Sequence, residues 1–244
     1  MKKSLIASMI VCAVSGSLFA KGFVPSDKIK EFSEIEFLKK QGVAVKEVYD
    51  ADTMYVLEIL VGGRSDTIYM SKDKTYLIVG NILNLKTGES LSAPISNLNI
   101  AKNKEAFQFG KGNKEFTVFT DPECPFCKEL EKYLPQLEDK IKMNFFFYPL
   151  EDMHKNAKEL SLYIMSQDTT EKKINAMMST TANSEHFTKR VINPEARKKA
   201  EANLQEQMLI AEEFGVTGTP TIIDKDGNKM SWIFFLESMG IKIK

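Results

Sequence analysis

The stretch Phe116-Thr-Val-Phe-Thr-Asp-Pro-Glu-Cys-Pro-Phe-Cys127 joins an apolar, β-branched run to a Cys-x-x-Cys. The run reads as a strand. Proline directly after Cys124 suits the first position of a helix, where its missing N–H would have had no partner. Strand, turn and dithiol on a helix start therefore follow one another within twelve residues. Apolar residues continue at Phe126, Leu130, Tyr133, Leu134 and Leu137, one helical face, with Pro135 expected to kink the helix.

The chain downstream keeps the same alternation. Met143–Tyr148 is a dense aromatic run and reads as a buried central strand. Residues 155–214 carry helical spacing (Leu160, Tyr163 and Ile164, then Ile174, Met177 and Met178). Asp168-Thr-Thr-Glu171 resembles a capping box, and Asn193-Pro194 opens a helix that Gly215 ends. Thr219-Pro220 leads into a strand at Thr221–Ile223, and the turn Asp224–Asn228 into a last strand near Met230–Phe234. With a strand at Ala106–Phe109, the order from 105 onward is β–β–α–β, a helical insertion, then β–β, which is the thioredoxin-like order.

Upstream, Ser26-Asp27 reads as an N-cap, followed by Ile29, Phe32, Ile35 and Leu38 at helical spacing until Gly42. Four strand-like segments follow: Val43–Val48, Met54–Val61, Thr67–Met70 and Thr75–Val79. So small an α+β domain is marginal alone and is expected to pack on something, including a second copy through an edge strand. The expected organisation is a signal peptide at 1–20, an N-terminal domain at 21–90, a polar linker at 91–104 and a catalytic domain at 105–244.

Lys2 and Lys3 before the mostly apolar run Leu5–Phe19, with Ala20 at the expected cleavage position, form a secretory signal pattern. Its removal takes two of the 33 basic residues and none of the 33 acidic ones, leaving a nearly neutral protein. Neutrality argues against a nucleic-acid footprint. Cys12 leaves with the signal, so Cys124 and Cys127 are the mature chain's only cysteines. Closing so short a loop removes little chain entropy, which makes the pair a reagent rather than a staple.

A thiol at a helix N-terminus meets unpartnered backbone N–H groups and the positive end of the dipole, so Cys124 is the expected nucleophile. Cys127, one turn further in, is the expected resolving thiol. Glu123 opposes the thiolate, so a moderately lowered pKa is expected. Zinc wants four ligands, and His154 and His186 stand at no such spacing; no metal or cofactor is expected. Both histidines read as surface or helix-end residues. Pro220 is a candidate cis proline that would present Thr219 to an extended substrate.

Phe119–Cys127 together with Gly215-Val-Thr-Gly-Thr-Pro-Thr221 resembles the periplasmic disulfide isomerases of the DsbC/DsbG type. Ile68–Gly80 and Leu85-Lys-Thr-Gly88 resemble that family's dimerisation domain. The resemblance implies a small cystatin-like α+β dimerisation domain, a V-shaped homodimer and a periplasmic location. It implies a dithiol kept reduced by a membrane electron donor of the DsbD type, and unfolded or misoxidised exported proteins as substrates. Cys124 and Cys127 would be catalytic, with Pro125, Phe126, Thr219 and Pro220 contacting substrate. Only Leu236–Met239 remains for the family's final helix. The rival readings are a dimeric thiol oxidase of the same fold and a non-catalytic chaperone or binding module.

Overall fold

The computed structural model describes residues 22–86 and 90–243. The signal pattern with Cys12, and most of the Leu85–Gly88 match, lie outside or at the edge of these residues. The protein divides into two compact units between Gly80 and Asn81.

In the first unit, helices α1 (Ser26–Ser33) and α2 (Glu36–Lys40) accompany an antiparallel sheet ordered β1-β2-β3-β4-β5. Its strands are Gly22–Phe23, Ala44–Asp50, Met54–Val61, Arg64–Ser71 and Leu77–Val79. The single expected helix breaks at Glu34 and Ile35, and Ile35 in extended backbone restarts it. The first helix begins after Pro25, and no side chain caps it. Phe32 and Leu38 nonetheless both bury against Val48, Leu57, Ile59 and Ile68. The hairpin β3–β4 turns on Gly62 and Gly63, whose φ angles of 57° and 83° are the left-handed pair a two-residue hairpin loop requires. Asp50, 3% exposed, is compensated by Lys72 at 2.5 Å and by the Asp52 N–H at 2.9 Å.

In the second unit a five-stranded sheet runs β10-β9-β7-β8-β6. Its strands are β6 (Phe107–Phe109), β7 (Lys114–Thr120), β8 (Ile141–Phe147), β9 (Thr221–Asp224) and β10 (Lys229–Met230). Only β7 and β8 are parallel, joined through α3 (Pro125–Glu131). Helices α4 (Ala157–Met165), α5 (Thr170–Ser179), α6 (Glu185–Thr188) and α7 (Pro194–Glu213) form the insertion before β9. The period-2 alternation of β8 explains its burial on both faces. Phe145 and Phe147 enter one core with Val118, Leu130 and Phe235, while Phe146 enters another with Phe119, Ile210 and Phe214. Each such ring contributes roughly 1.5–3 kcal/mol of burial.

Several expectations are corrected here. Residues 91–104 are not a free linker. Ala101 is buried, Ile95 and Leu98 pack beside it, and the Ile95 N–H donates to Gly227 O at 2.8 Å. The helix after the dithiol ends at Glu131 rather than kinking at Pro135, which sits in a separate 3-10 turn, Leu134–Gln136. Thr169, not Asp168, caps α5, accepting from the Lys172 N–H. The last strand stops at Met230. Ser231 caps a final helix α8 (Trp232–Ser238) through the Phe234 N–H, so Trp232–Phe234 are helical. Asn193 caps α7 as expected, accepting from Glu195 and Ala196.

Candidate functional site

Strand β7 ends at Thr120, and Asp121-Pro122-Glu123 turns the chain so that Cys124 is the N-cap of α3, with Pro125 in the first turn. Both cysteines are free and buried, Cys124 4% exposed and Cys127 0%. The Cys124 thiol reaches Thr219 O at 3.2 Å, and the Thr219–Pro220 bond is cis. The structure thus brings together Cys124, Pro125, Cys127, Thr219 and Pro220. Phe126 is adjacent in sequence but turned outward, 60% exposed, with its ring 6.5 Å from that of Trp232. The buried face of α3 is Cys127, Leu130 and Glu131, not the face running through Phe126.

This surrounding separates the two thiols. Cys124 is lowered well below the ordinary thiol range, to about 5, first by the hydrogen bond it receives from the Cys127 side chain. Burial opposes this; the Thr219 hydroxyl and the N–H groups of Cys127 and Phe126 add to it. That hydroxyl is buried without another partner, so it is free to donate to a thiolate. Cys127 is pushed up, first by burial, then by the hydrogen bond and charge of Cys124. Cys127 Sγ lies 3.5 Å from the Asp121 N–H.

Sequence reasoning missed the charged groups around the dithiol. Asp121 is 0% exposed and accepts from the Glu123 N–H at 2.7 Å and the Leu150 N–H at 2.8 Å. His154 Nδ1 meets Oδ2, the oxygen that also accepts from Leu150, at 2.9 Å. His154 is therefore no surface histidine: its side chain is 17% exposed and pinned beside the dithiol turn. Glu123, expected to oppose the thiolate, has its carboxylate drawn to Asn156, accepting from N at 2.6 Å and Nδ2 at 3.0 Å. Because β7 and β8 are parallel, the loops after them leave from the same end, and Tyr148 N–H to Thr120 O at 2.8 Å begins their contact. Glu131 is the second miss. It is 5% exposed, pairs with Lys128 at 2.9 Å, and leaves Oε1 buried without a partner. Burial raises its pKa to about 7 against the pull of Lys128, and the Cys124 charge adds to the rise. Its place four residues after Cys127 was the available signal, since i and i+4 share a helix face.

Residues 106–233 match the family model of the thioredoxin-like domain. The chain belongs to this family of thioredoxin-like thiol–disulfide oxidoreductases. It is similar to the thiol:disulfide interchange protein DsbC of Pasteurella multocida (strain Pm70), 24% identical over 235 residues, 92% of each chain. It is similar also to a probable DsbC of Bordetella avium (strain 197N), 24% identical over 194 residues, 73% of this chain and 61% of that protein. Among solved structures, a disulfide interchange protein from Neisseria gonorrhoeae is 26% identical, covers 55% of this chain and 91% of its own, and superposes with a TM-score of 0.42. Among the described residues no helix is long and apolar enough to cross a membrane.

Proposed function

We propose that the protein is a periplasmic thiol–disulfide isomerase and reductase that repairs incorrect disulfides through Cys124-Pro-Phe-Cys127. The observation that carries the reading is the division of labour in the dithiol: a thiol lowered to about 5 on a helix start beside one held protonated by burial. Cys124 as thiolate attacks a substrate disulfide, forms a mixed disulfide and expels a substrate thiolate. If that substrate thiolate attacks another sulfur of the same chain and Cys124 is finally expelled, the disulfide is moved and no electrons are consumed.

Cys127 provides the exit from a stalled mixed disulfide. Once Cys124 is bonded to substrate, its charge and hydrogen bond no longer raise the Cys127 pKa, so Cys127 loses its proton more readily when it is needed. It then attacks the Cys124 sulfur, releases reduced substrate and leaves a Cys124–Cys127 disulfide. A membrane dithiol donor of the DsbD type restores the dithiol in this reading. The Thr219 backbone and Pro220 contact an extended substrate segment, with Pro125 and the exposed Phe126 beside it. The substrates are misoxidised or unfolded exported proteins, and the first unit makes a homodimer. The export reading is supported by the secretory pattern at 1–20.

One observation favours a second direction. Stabilising a thiolate stabilises the reduced dithiol, and a strongly stabilised one makes an oxidant; a Cys124 near 5 lies toward that side. Trapping the dithiol in growing cells with an alkylating reagent separates the two. A largely reduced pair is expected for an isomerase, and a largely oxidised pair would replace this reading with a thiol oxidase.

A further inference from the structure

We propose that His154 is a positioning residue for the dithiol, placing a positive charge against Asp121 and Cys124 so that its protonation is linked to the redox state of the cysteine pair. The argument starts from a closed hydrogen-bond cluster. Asp121 is buried and is bound from three sides by Glu123 N–H, Leu150 N–H and His154 Nδ1. Its own N–H approaches Cys127 Sγ at 3.5 Å. One residue thus touches the resolving sulfur through its backbone and the imidazole through its carboxylate. Glu123 and Asn156 close the cluster through two further hydrogen bonds, fixing the loop that carries His154.

The charges facing His154 from other elements are Asp121 and Glu123 in the turn and Cys124 at the start of α3. All three raise its pKa, the Asp121 hydrogen bond first, with burial opposing. Its own loop carries Glu151, which Lys158 holds at 3.4 Å, and also Asp152 and Lys155. Coupling is reciprocal: if a Cys124 thiolate favours imidazolium, imidazolium favours the thiolate. Reduction of the Cys124–Cys127 disulfide by a dithiol reductant takes two electrons, breaks the S–S bond, leaves Cys124 as thiolate and puts one proton on Cys127. His154 then takes up a further fraction of a proton from solvent, and oxidation releases it. The inference rests on Cys124 and Cys127 being the reacting pair but not on the direction of exchange.

The test is an NMR titration of the His154 imidazole in the full chain, reduced and oxidised, with His186 identified through the H186Q variant. The His154 midpoint is expected to lie about half a unit or more higher in the reduced form, less than an opposite charge in direct contact would give. Equal midpoints in the two forms overturn the proposal. His154→Gln keeps a donor to Asp121 without the charge. It is expected to move the Cys124 thiolate titration upward by a similar amount and the equilibrium with glutathione about threefold toward the disulfide. His154→Arg restores both. An unchanged thiol titration in H154Q, or the same shift in H154R, would show a merely structural role. Absence of exchange activity in the unaltered protein is a separate result, and it would sink the dithiol reading instead.

Discussion

Replacing Cys127 by Ala tests the origin of the Cys124 thiolate. Cys124 stands at about 5 against an ordinary 9.0, and the largest favourable cause is the hydrogen bond from the Cys127 side chain. At about 1.36 kcal/mol per unit, that gap corresponds to roughly 5 kcal/mol of preference for the thiolate. A hydrogen bond to a charged group is worth about 1.5–3 kcal/mol, so its removal should raise the Cys124 pKa by roughly one to two units. The remainder belongs to the Phe126 N–H, the residue-127 N–H and the Thr219 hydroxyl, all of which survive the substitution. Thiolate absorbance near 240 nm, followed against pH in C127A, reads the midpoint directly. A midpoint near 6–7 is expected. One unmoved from the native value would refute the reasoning and assign the thiolate to the helix start and the Thr219 hydroxyl.

Three further outcomes follow from the same geometry. Glu131 is raised from 4.5 to about 7 by burial, so its contribution to stability is present below pH 4.5 and is lost as pH rises through 7. Glu131→Gln should therefore gain stability relative to the native protein between pH 5 and pH 8, by up to about 3 kcal/mol, less what Lys128 loses as a partner. Urea unfolding at the two pH values checks this, and an identical difference at both contradicts it. Gly227 has φ +84° and an added Cβ would come within 2.5 Å of Ile95 O; Gly227→Ala should cost at least about 1–2 kcal/mol and expose residues 91–104 to proteolysis. An unchanged cleavage pattern would mean that this segment is held elsewhere. Phe147, fully buried in β8, should cost about 3–5 kcal/mol on truncation to Ala by denaturant unfolding, and a loss under about 1 kcal/mol would deny it a place in the core.

The dithiol and its setting were legible because their signals are local. Pro125 after Cys124 marks a helix start, the apolar and β-branched run Phe116–Thr120 marks a strand, and Thr219-Pro220 before an apolar run marks the opposing loop. What stayed hidden depends on strands pairing. Nothing near His154 in sequence points to Asp121; they meet because parallel β7 and β8 release their loops at one end of the sheet. The segment 91–104 looked like a linker because its polar composition masks three anchors, Ile95, Leu98 and Ala101. Trp232–Phe234 looked like a strand because aromatic residues favour sheets, yet the Ser231 cap starts a helix there. Glu131 carries a local signal of its own, since its spacing of four from Cys127 puts it on the buried side of α3.

The central claim is that Cys124 and Cys127 move disulfides rather than merely insert them. Refolding of scrambled ribonuclease, run beside oxidation of the fully reduced form, tests it most directly. Efficient rescue of the scrambled protein, abolished by Cys124→Ser, with little oxidation of the reduced form, is the predicted result; rapid oxidation without rescue would contradict it.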